Sequence, residues 1–234
     1  MLIQIDAAQL EWRAAVWLSN DPIGLQEINE KRDAHTDNQK AFNLPDRDTA
    51  KRYLFRTIFR GSGWSFAHDA DFMHVSSSTA FWDDVNEKFY KKYQGLDQWH
   101  HRLAQLVAAR KPIVSPTGRE WLIPMKEDGS IPWTVLSNYP VQGTSADIVM
   151  VARITLLRRL NASSHLCDVK MVSTVHDSIV LDAPSETVKE VAALAEAVFD
   201  DIPKNFKRLW NIDLPLAFPG EVKVGPNLKD LNRL

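Results

Sequence analysis

VKMVSTVHDSIVLD (169–182) consists of two runs rich in Val, Ile, Met and Thr, 169–175 and 178–182, around one polar pair, His176-Asp177. Residues of this type favour strands. Two polar residues between two such runs predict a β-hairpin with the pair at its tip. A two-stranded hairpin is not stable alone, so further strands are required. LIQIDA (2–7) reads as a short buried strand ending in a carboxylate, and PGEVKVGPNL (219–228) supplies a last strand. The rest is largely helical. Residues 9–19 place Leu10, Ala14 and Leu18 on one face, and Asp21-Pro22 ends that helix. Residues 23–44 read as short polar pieces. Residues 46–60 form a strong helix with Asp46 as N-cap and Gly61 as its stop, and Gly61-Ser62-Gly63 is a loop. Residues 81–111 give one or two helices, and Pro116-Thr117-Gly118 turns between short strands near Ile113 and Trp121–Ile123. A long helix covers 143–160, and an amphipathic one runs from Ser185 to about Asp200 with Val188, Val191, Ala195, Val198 and Phe199 inward. Strands and helices do not alternate as βαβ units. The fold class is therefore α+β: an antiparallel sheet with flanking helices and a mostly helical insertion.

Composition bounds the function without naming it. The chain has 234 residues, 44% hydrophobic and 25% charged, with a net charge of −2. That suits one large or two small domains with a real core. The single Cys167 excludes an internal disulfide and points to a reducing compartment. The N-terminus is not a signal peptide, and no apolar run reaches the length of a membrane span, so no membrane partner is expected. The slight acidity argues against a uniformly basic nucleic-acid binder. The cations are clustered: Arg47, Lys51, Arg52, Arg56 and Arg60 stand against one acid, Asp48.

Within that cluster Arg47, Lys51, Phe55 and Phe59 recur every fourth residue. They stay on one broad helix face and span about 18 Å at ~1.5 Å per residue. Cations at the N-terminal end suit phosphates, which the helix dipole also favours. Aromatics at the other end suit a base or sugar. The bland reading is an amphipathic helix with its phenylalanines in a core and its cations solvated. Two carboxylates stand apart from this helix: Asp6 at the end of a strand and Asp177 at the hairpin tip. Each alone reads as a turn or capping residue. Together, on strand ends of one sheet, they could hold two Mg²⁺ ions.

Six segments in order resemble DNA polymerases of family A. IDAAQLEWR (5–13) is similar to the family's motif A, RDTAKRYLFRTIFRG (47–61) to motif B and VHDSIV (175–180) to motif C. DAHTDNQKAF (33–42), SPTGREWLIP (115–124) and NYPVQGTSADIV (138–149) match supporting segments, so the resemblance covers the whole chain. It implies a palm at 1–22 and 131–234 with a fingers insertion at 23–130, and template-directed addition of deoxynucleoside triphosphates to a primer 3′-hydroxyl with two Mg²⁺ ions. By resemblance Asp6 and Asp177 are metal ligands, with the Ala7 carbonyl a third. Lys51 is a proton donor to pyrophosphate. Arg47, Lys51 and His35 meet the triphosphate, Phe55 packs on the sugar and Phe59 completes the nucleotide site. Glu11 is the gate against a 2′-hydroxyl. Arg13, Asn138 and Gln142 contact primer–template DNA, and His176 approaches the primer terminus.

The pattern is broken in places. Ser178 stands where motif C carries a glutamate, Phe59 where a tyrosine is usual, and Thr134 where a basic residue is common. Five residues precede Asp6, with no thumb or exonuclease segment of the family among them. The expectation is a fragment or a split enzyme completed by a thumb- or exonuclease-bearing chain, phage-like, in a bacterial or phage-infected cytoplasm. Two other readings remain: a non-catalytic nucleotide-binding fragment that completes another polymerase subunit, and a relative of single-subunit RNA polymerases. Glu11 and the QGT-x-AD run argue against the latter. His68, Asp69 and Asp71 read as a solvated loop, His100-His101 as diverging neighbours, and Trp64, Trp82, Trp99 and Trp121 as core or interface residues.

Overall fold

The computed structural model describes residues 1–233. In chain order the elements are β1 (Leu2–Ala7), α1 (Leu10–Ser19), α2 (Pro22–Asn29), α3 (Ala34–Ala41), α4 (Arg47–Thr57), α5 (Gly63–Ala67), α6 (Ala70–Met73), α7 (Thr79–Lys92) and α8 (Gln94–Ala108). There follow β2 (Ile113–Val114), β3 (Glu120–Trp121), α9 (Trp133–Ala162), β4 (Lys170–Val175), β5 (Ser178–Asp182), α10 (Val188–Asp200), α11 (Ile202–Trp210), β6 (Gly220–Gly225) and β7 (Asn232–Arg233). The fold is α+β, as the strand pattern predicts. Two compact units share these elements: Met1–Leu10 with Thr144–Leu234, and Glu11–Gly143.

The first unit is built on a five-stranded antiparallel sheet of order β4-β5-β1-β6-β7. β1 lies at its centre, with Asp6 opposite Ser178 on one side and opposite Glu221 on the other. Period-two alternation sends Ile3 and Ile5, both fully buried, to one face with Ile179, Leu181 and Val222. That face packs on α10, whose buried Val191, Ala195 and Phe199 form its inner stripe. Each such fully buried side chain contributes about 1.5–3 kcal/mol. Gln4, Asp6, Glu221 and Lys223 alternate onto the other face.

The second unit is helical around an aromatic centre. Fully buried Tyr53 of α4 stacks on Trp82 at 5.9 Å and packs against Phe42, Phe66 and Phe89. Its hydroxyl donates to Asn86 Oδ1 at 2.8 Å, which satisfies the buried polar end. A second buried polar group ties three helices. Glu27 of α2 is 1% exposed and forms an ion pair with Lys92, whose Nζ lies 2.8 Å from Oε1. The Tyr93 hydroxyl lies 2.8 Å from the same carboxylate and 2.9 Å from Asn38 Oδ1. Burial and that carboxylate raise the Tyr93 phenol far above its ordinary range. In α9, Gly143 passes so close to the β2–β3 hairpin that a Cβ would lie 2.3 Å from Trp121 Cζ2, which is why the chain has glycine there.

Several boundaries differ from the sequence expectation. Residues 22–44 hold two helices, capped by Asp21 (2.8 Å to Gly24 N) and Asp33 (3.1 Å to His35 N). α4 ends at Thr57, because Arg60 turns left-handed (φ 63°) and the Gly61 N–H closes on Arg56 O at 3.0 Å. Ser62 opens α5 by accepting from Ser65 N, so the loop is shorter than expected. α9 starts at Trp133 and runs through Pro140, ten residues ahead of Gly143. α10 starts at Val188 after a turn closed by Thr187 N on Pro184 O. Helix α11 was not expected. Trp64, read as a core or interface residue, is not in the core: it is 64% exposed and stacks on His68. Asp69, expected in a solvated loop, caps α6 and pairs with Arg56.

Candidate active site

The sheet brings three of the expected residues together in the first unit. Asp6 ends the central strand, and the Ala7 N–H donates to the Asp177 carbonyl at 3.2 Å. The backbones of Asp6-Ala7 and Asp177 are therefore neighbours. The hairpin tip is two residues, closed by the Val175–Ser178 pair, and His176 adopts φ 52°. A non-glycine residue held left-handed is uncommon and marks a position that the surrounding structure dictates. The side chains of His176 and Asp177 are exposed and make no hydrogen bond or ion pair among the described residues. Asp6 is held: Gln4 Nε2 donates to Oδ1 at 2.9 Å, and Lys223 Nζ lies 3.3 Å from Oδ2. Among the described residues no three His, Cys, Asp or Glu side chains converge on one point. Two carboxylates and a backbone carbonyl are hard oxygen donors. That sparse set fits Mg²⁺, which keeps several waters and uses one or two carboxylates with substrate phosphates.

The second unit presents the face of α4. Thr49, Ala50, Tyr53, Leu54 and Thr57 point into the core. Arg47 and Lys51 are exposed and Phe55 and Phe59 half-exposed. The phenylalanines are thus not the core of this helix, against the bland reading. Arg47 makes a bidentate pair with Asp33, at 2.7 and 3.2 Å. That guanidinium holds the Asp33 carboxyl well below the usual carboxylate range. His35, 3% exposed, lies beneath the face with its ring 6.2 Å from Phe55. Burial and then the Arg47 charge push its pKa down. Lys51 has no ion pair or hydrogen bond among the described residues. The remaining cations are tied: Arg52 to Asp48 and Asp71, Arg56 to Asp69, and Arg60 to Asp97. The cluster that looked basic in sequence is largely neutralised by acids far along the chain.

Elsewhere in the second unit, Gln142 of α9 donates to the Glu11 carboxylate of α1. Asn138 lies one turn before Gln142 on α9 and is half-exposed. Arg13 is half-buried, and burial lowers its guanidinium pKa. The structure therefore groups Asp6, Ala7, Asp177 and His176 in one unit. It groups His35, Arg47, Lys51 and Phe55, and separately Glu11 and Gln142, in the other. Sequence reasoning missed Asp33, Gln4 and Lys223. Gln4 shares the face of Asp6 by the strand alternation, which was readable. Lys223 required the register of β6 against β1.

Comparison with known proteins defines the class first. The fold is that of a polymerase domain: a solved structure described as the POL domain of Pol1 from M. smegmatis in complex with DNA primer-template and dNTP superposes with a TM-score of 0.78. It is 18% identical and covers 94% of this chain and 38% of its own. The model for DNA polymerase family A matches residues 1–230, and the chain belongs to that family. A thermostable DNA polymerase I from Thermus aquaticus is 26% identical over 238 residues, covering 96% of this chain and 26% of the relative. A DNA polymerase of Bacillus phage SP01 is 23% identical over 250 residues, covering 98% and 26%. The chain thus spans about a quarter of the length of these relatives. No helix among the described residues is long and apolar enough to cross a membrane.

Proposed function

We propose that this chain carries the catalytic part of a template-directed DNA polymerase. It adds deoxynucleoside triphosphates to a primer 3′-hydroxyl, in assembly with polypeptide that supplies the thumb. In this reading residues 1–22 and 131–234 are the palm and residues 23–130 the fingers, and the enzyme works in a bacterial or phage-infected cytoplasm. The observation that carries it is the meeting of Ala7 and Asp177 beside Asp6 on one sheet, in a chain of this family.

Asp6, Asp177 and the Ala7 carbonyl would hold two Mg²⁺ ions. When bound, such a pair lowers the pKa of the primer hydroxyl and neutralises charge on the phosphates. The protein's own share is positioning and charge. Lys51, with no partner among the described residues, meets the triphosphate and gives a proton to the departing pyrophosphate. Arg47 joins it by exchanging Asp33 for a phosphate, and the rigid guanidinium fork suits either partner. His35, buried beneath the same face, is the third group that meets the triphosphate. Phe55 and Phe59 cover the sugar. Glu11, steadied by Gln142, stands where a 2′-hydroxyl would have to enter, and that clash favours deoxynucleotides. Arg13, Asn138 and Gln142 meet the primer–template, where amides suit the minor groove. His176 lies against the primer end.

The test is primer extension by Asp6→Asn and Asp177→Asn, with the completing polypeptide present. Each variant should fold normally by circular dichroism and lose at least about 1,000-fold in rate, ~4 kcal/mol of transition-state stabilisation. Extension at more than a tenth of the wild-type rate in either one would overturn the proposal.

A further inference from the structure

The candidate metal ligand Asp6 already has a cation. On the open face of the sheet, Gln4 and Asp6 project side by side from β1, and Lys223 projects from β6 opposite Gln4. This diagonal lets the Lys223 ammonium reach Asp6 Oδ2 at 3.3 Å, while Gln4 takes Oδ1 at 2.9 Å. Both carboxylate oxygens are engaged. The pair is not buried: Lys223 is 39% exposed and Asp6 23%. Its ammonium sits on a four-carbon stem that can swing into solvent without disturbing the strand. The opposite-register neighbour of Asp6, Glu221, does not compete for this lysine, because Arg233 takes it at 2.5 Å.

We propose that Lys223 is a positioning residue that acts as a tethered counter-cation for Asp6, occupying Oδ2 until divalent ions load. The proposal rests on the metal-binding reading of Asp6 given above. Two consequences follow from charge alone. With no metal, the ammonium offsets the Asp6 charge and, with Gln4, fixes the carboxylate's orientation. On loading, a divalent ion must displace the ammonium or share the oxygen with a like charge, so Lys223 weakens metal affinity. The ammonium thereby sets the concentration of free metal at which the site fills. Among the described residues Asp177 has no such partner, so the handicap falls on one ligand of the pair.

The test measures Mn²⁺ binding to the 234-residue chain by electron paramagnetic resonance, with no substrate present. Lys223→Gln and Lys223→Met should each bind Mn²⁺ about tenfold more tightly than wild type. Lys223→Arg, which keeps the charge, should stay within about twofold. Lys229→Gln, which removes the same charge from an exposed position in the tail, should also stay within about twofold. In an Asp6→Asn background the gain from Lys223→Gln should vanish, because the two act through one oxygen. Unchanged or weaker binding in both neutral variants would overturn the proposal. If Asp6→Asn weakens Mn²⁺ binding while the lysine variants do nothing, only the counter-cation role fails. If Asp6→Asn itself leaves Mn²⁺ affinity unchanged, the metal reading of Asp6 fails with it.

Discussion

The helix α4 and the tip of the β4–β5 hairpin treat their charges differently. Around α4 nearly every cation has an acid: Arg47 with Asp33, Arg52 with Asp48 and Asp71, Arg56 with Asp69, Arg60 with Asp97. Deeper in, Lys92, Glu27 and Tyr93 close a buried network. Lys51 stands out as the exception. At the tip of the sheet's hairpin the balance is reversed, and the side chains of His176 and Asp177 are exposed with no partner among the described residues. Paired charge fastens one element to another. Unpaired charge on a rigid frame costs little where water reaches it and is available to a ligand. The contrast therefore sorts the polar residues by role better than their number does. Arg47 and Asp6 lie between the two classes, each held by a partner that, in the proposed function, a substrate or metal would replace.

The sharpest way to break this sorting is to compare neighbours on one helix. Lys51→Ala should lower kcat/KM for primer extension about 100–1,000-fold, ~3–4 kcal/mol, because a cation meant for the triphosphate is lost. Arg52→Ala should change it less than about threefold, because an exposed pair with Asp48 is worth ~0–1 kcal/mol. Equal losses would mean that pairing does not separate architecture from chemistry on this face. Stability should show the reverse. Glu27→Ala strands Lys92 and the Tyr93 hydroxyl in a buried site and should cost about 3 kcal/mol in urea unfolding. Asp48→Ala should cost ~0–1 kcal/mol by the same measure.

The sequence made the frame legible and much of the pairing illegible, for one reason of range. β1 is readable to the residue because its alternation is local, and the hairpin tip because two polar residues interrupt two apolar runs. Asp46 is readable as the cap of α4, and the structure has its side chain on Thr49 N at 2.7 Å. The helices within 22–44 were hidden because Asp21-Pro22 reads as a break and AHTDNQKA (34–41) is polar apart from its two alanines. Pro140 concealed the first ten residues of α9. Asp48, one turn before Arg52, is the local partner; the acids that pair with Arg56 and Arg60 lie up to 37 residues away, at Asp97 for Arg60, and no local pattern links them. Of the candidate site, the motif residues were readable by resemblance. What holds them, Asp33 for Arg47 and Lys223 for Asp6, depended on the fold.

Sugar selection probes a contact inside the helical unit. Glu11→Ala should raise ribonucleotide use relative to deoxyribonucleotide by about 30–100-fold, ~2–2.7 kcal/mol, in steady-state incorporation. Gln142→Ala should raise it less, since it leaves the carboxylate in place and removes only the amide that steadies it. If neither variant shifts the ratio, Glu11 is a structural acid like Asp48 and belongs with the paired class.

The smallest effect concerns a buried histidine, and it tests whether the interior of the helical unit is as closed as its ion pairs imply. His100 is fully buried, and its Nε2 donates to the Ile58 carbonyl at 3.0 Å. Burial, reinforced by the Arg60 charge, pushes its pKa down to about 3, against an ordinary 6.5. The unfolded chain takes up this proton first as pH falls. The stability His100 contributes is therefore complete above about pH 6.5 and drains away towards pH 3. His35, also lowered by burial, adds a term of the same sign. At pH 5 the His100 share should be about 1–2 kcal/mol. His100→Gln keeps an amide donor for Ile58 and cannot titrate. Its urea midpoint should fall less between pH 7.5 and pH 5 than the wild-type midpoint does, with the two proteins most alike at pH 5. Parallel pH profiles would mean that His100 is protonated inside the folded unit, and that water or a counter-charge reaches the core beneath α4.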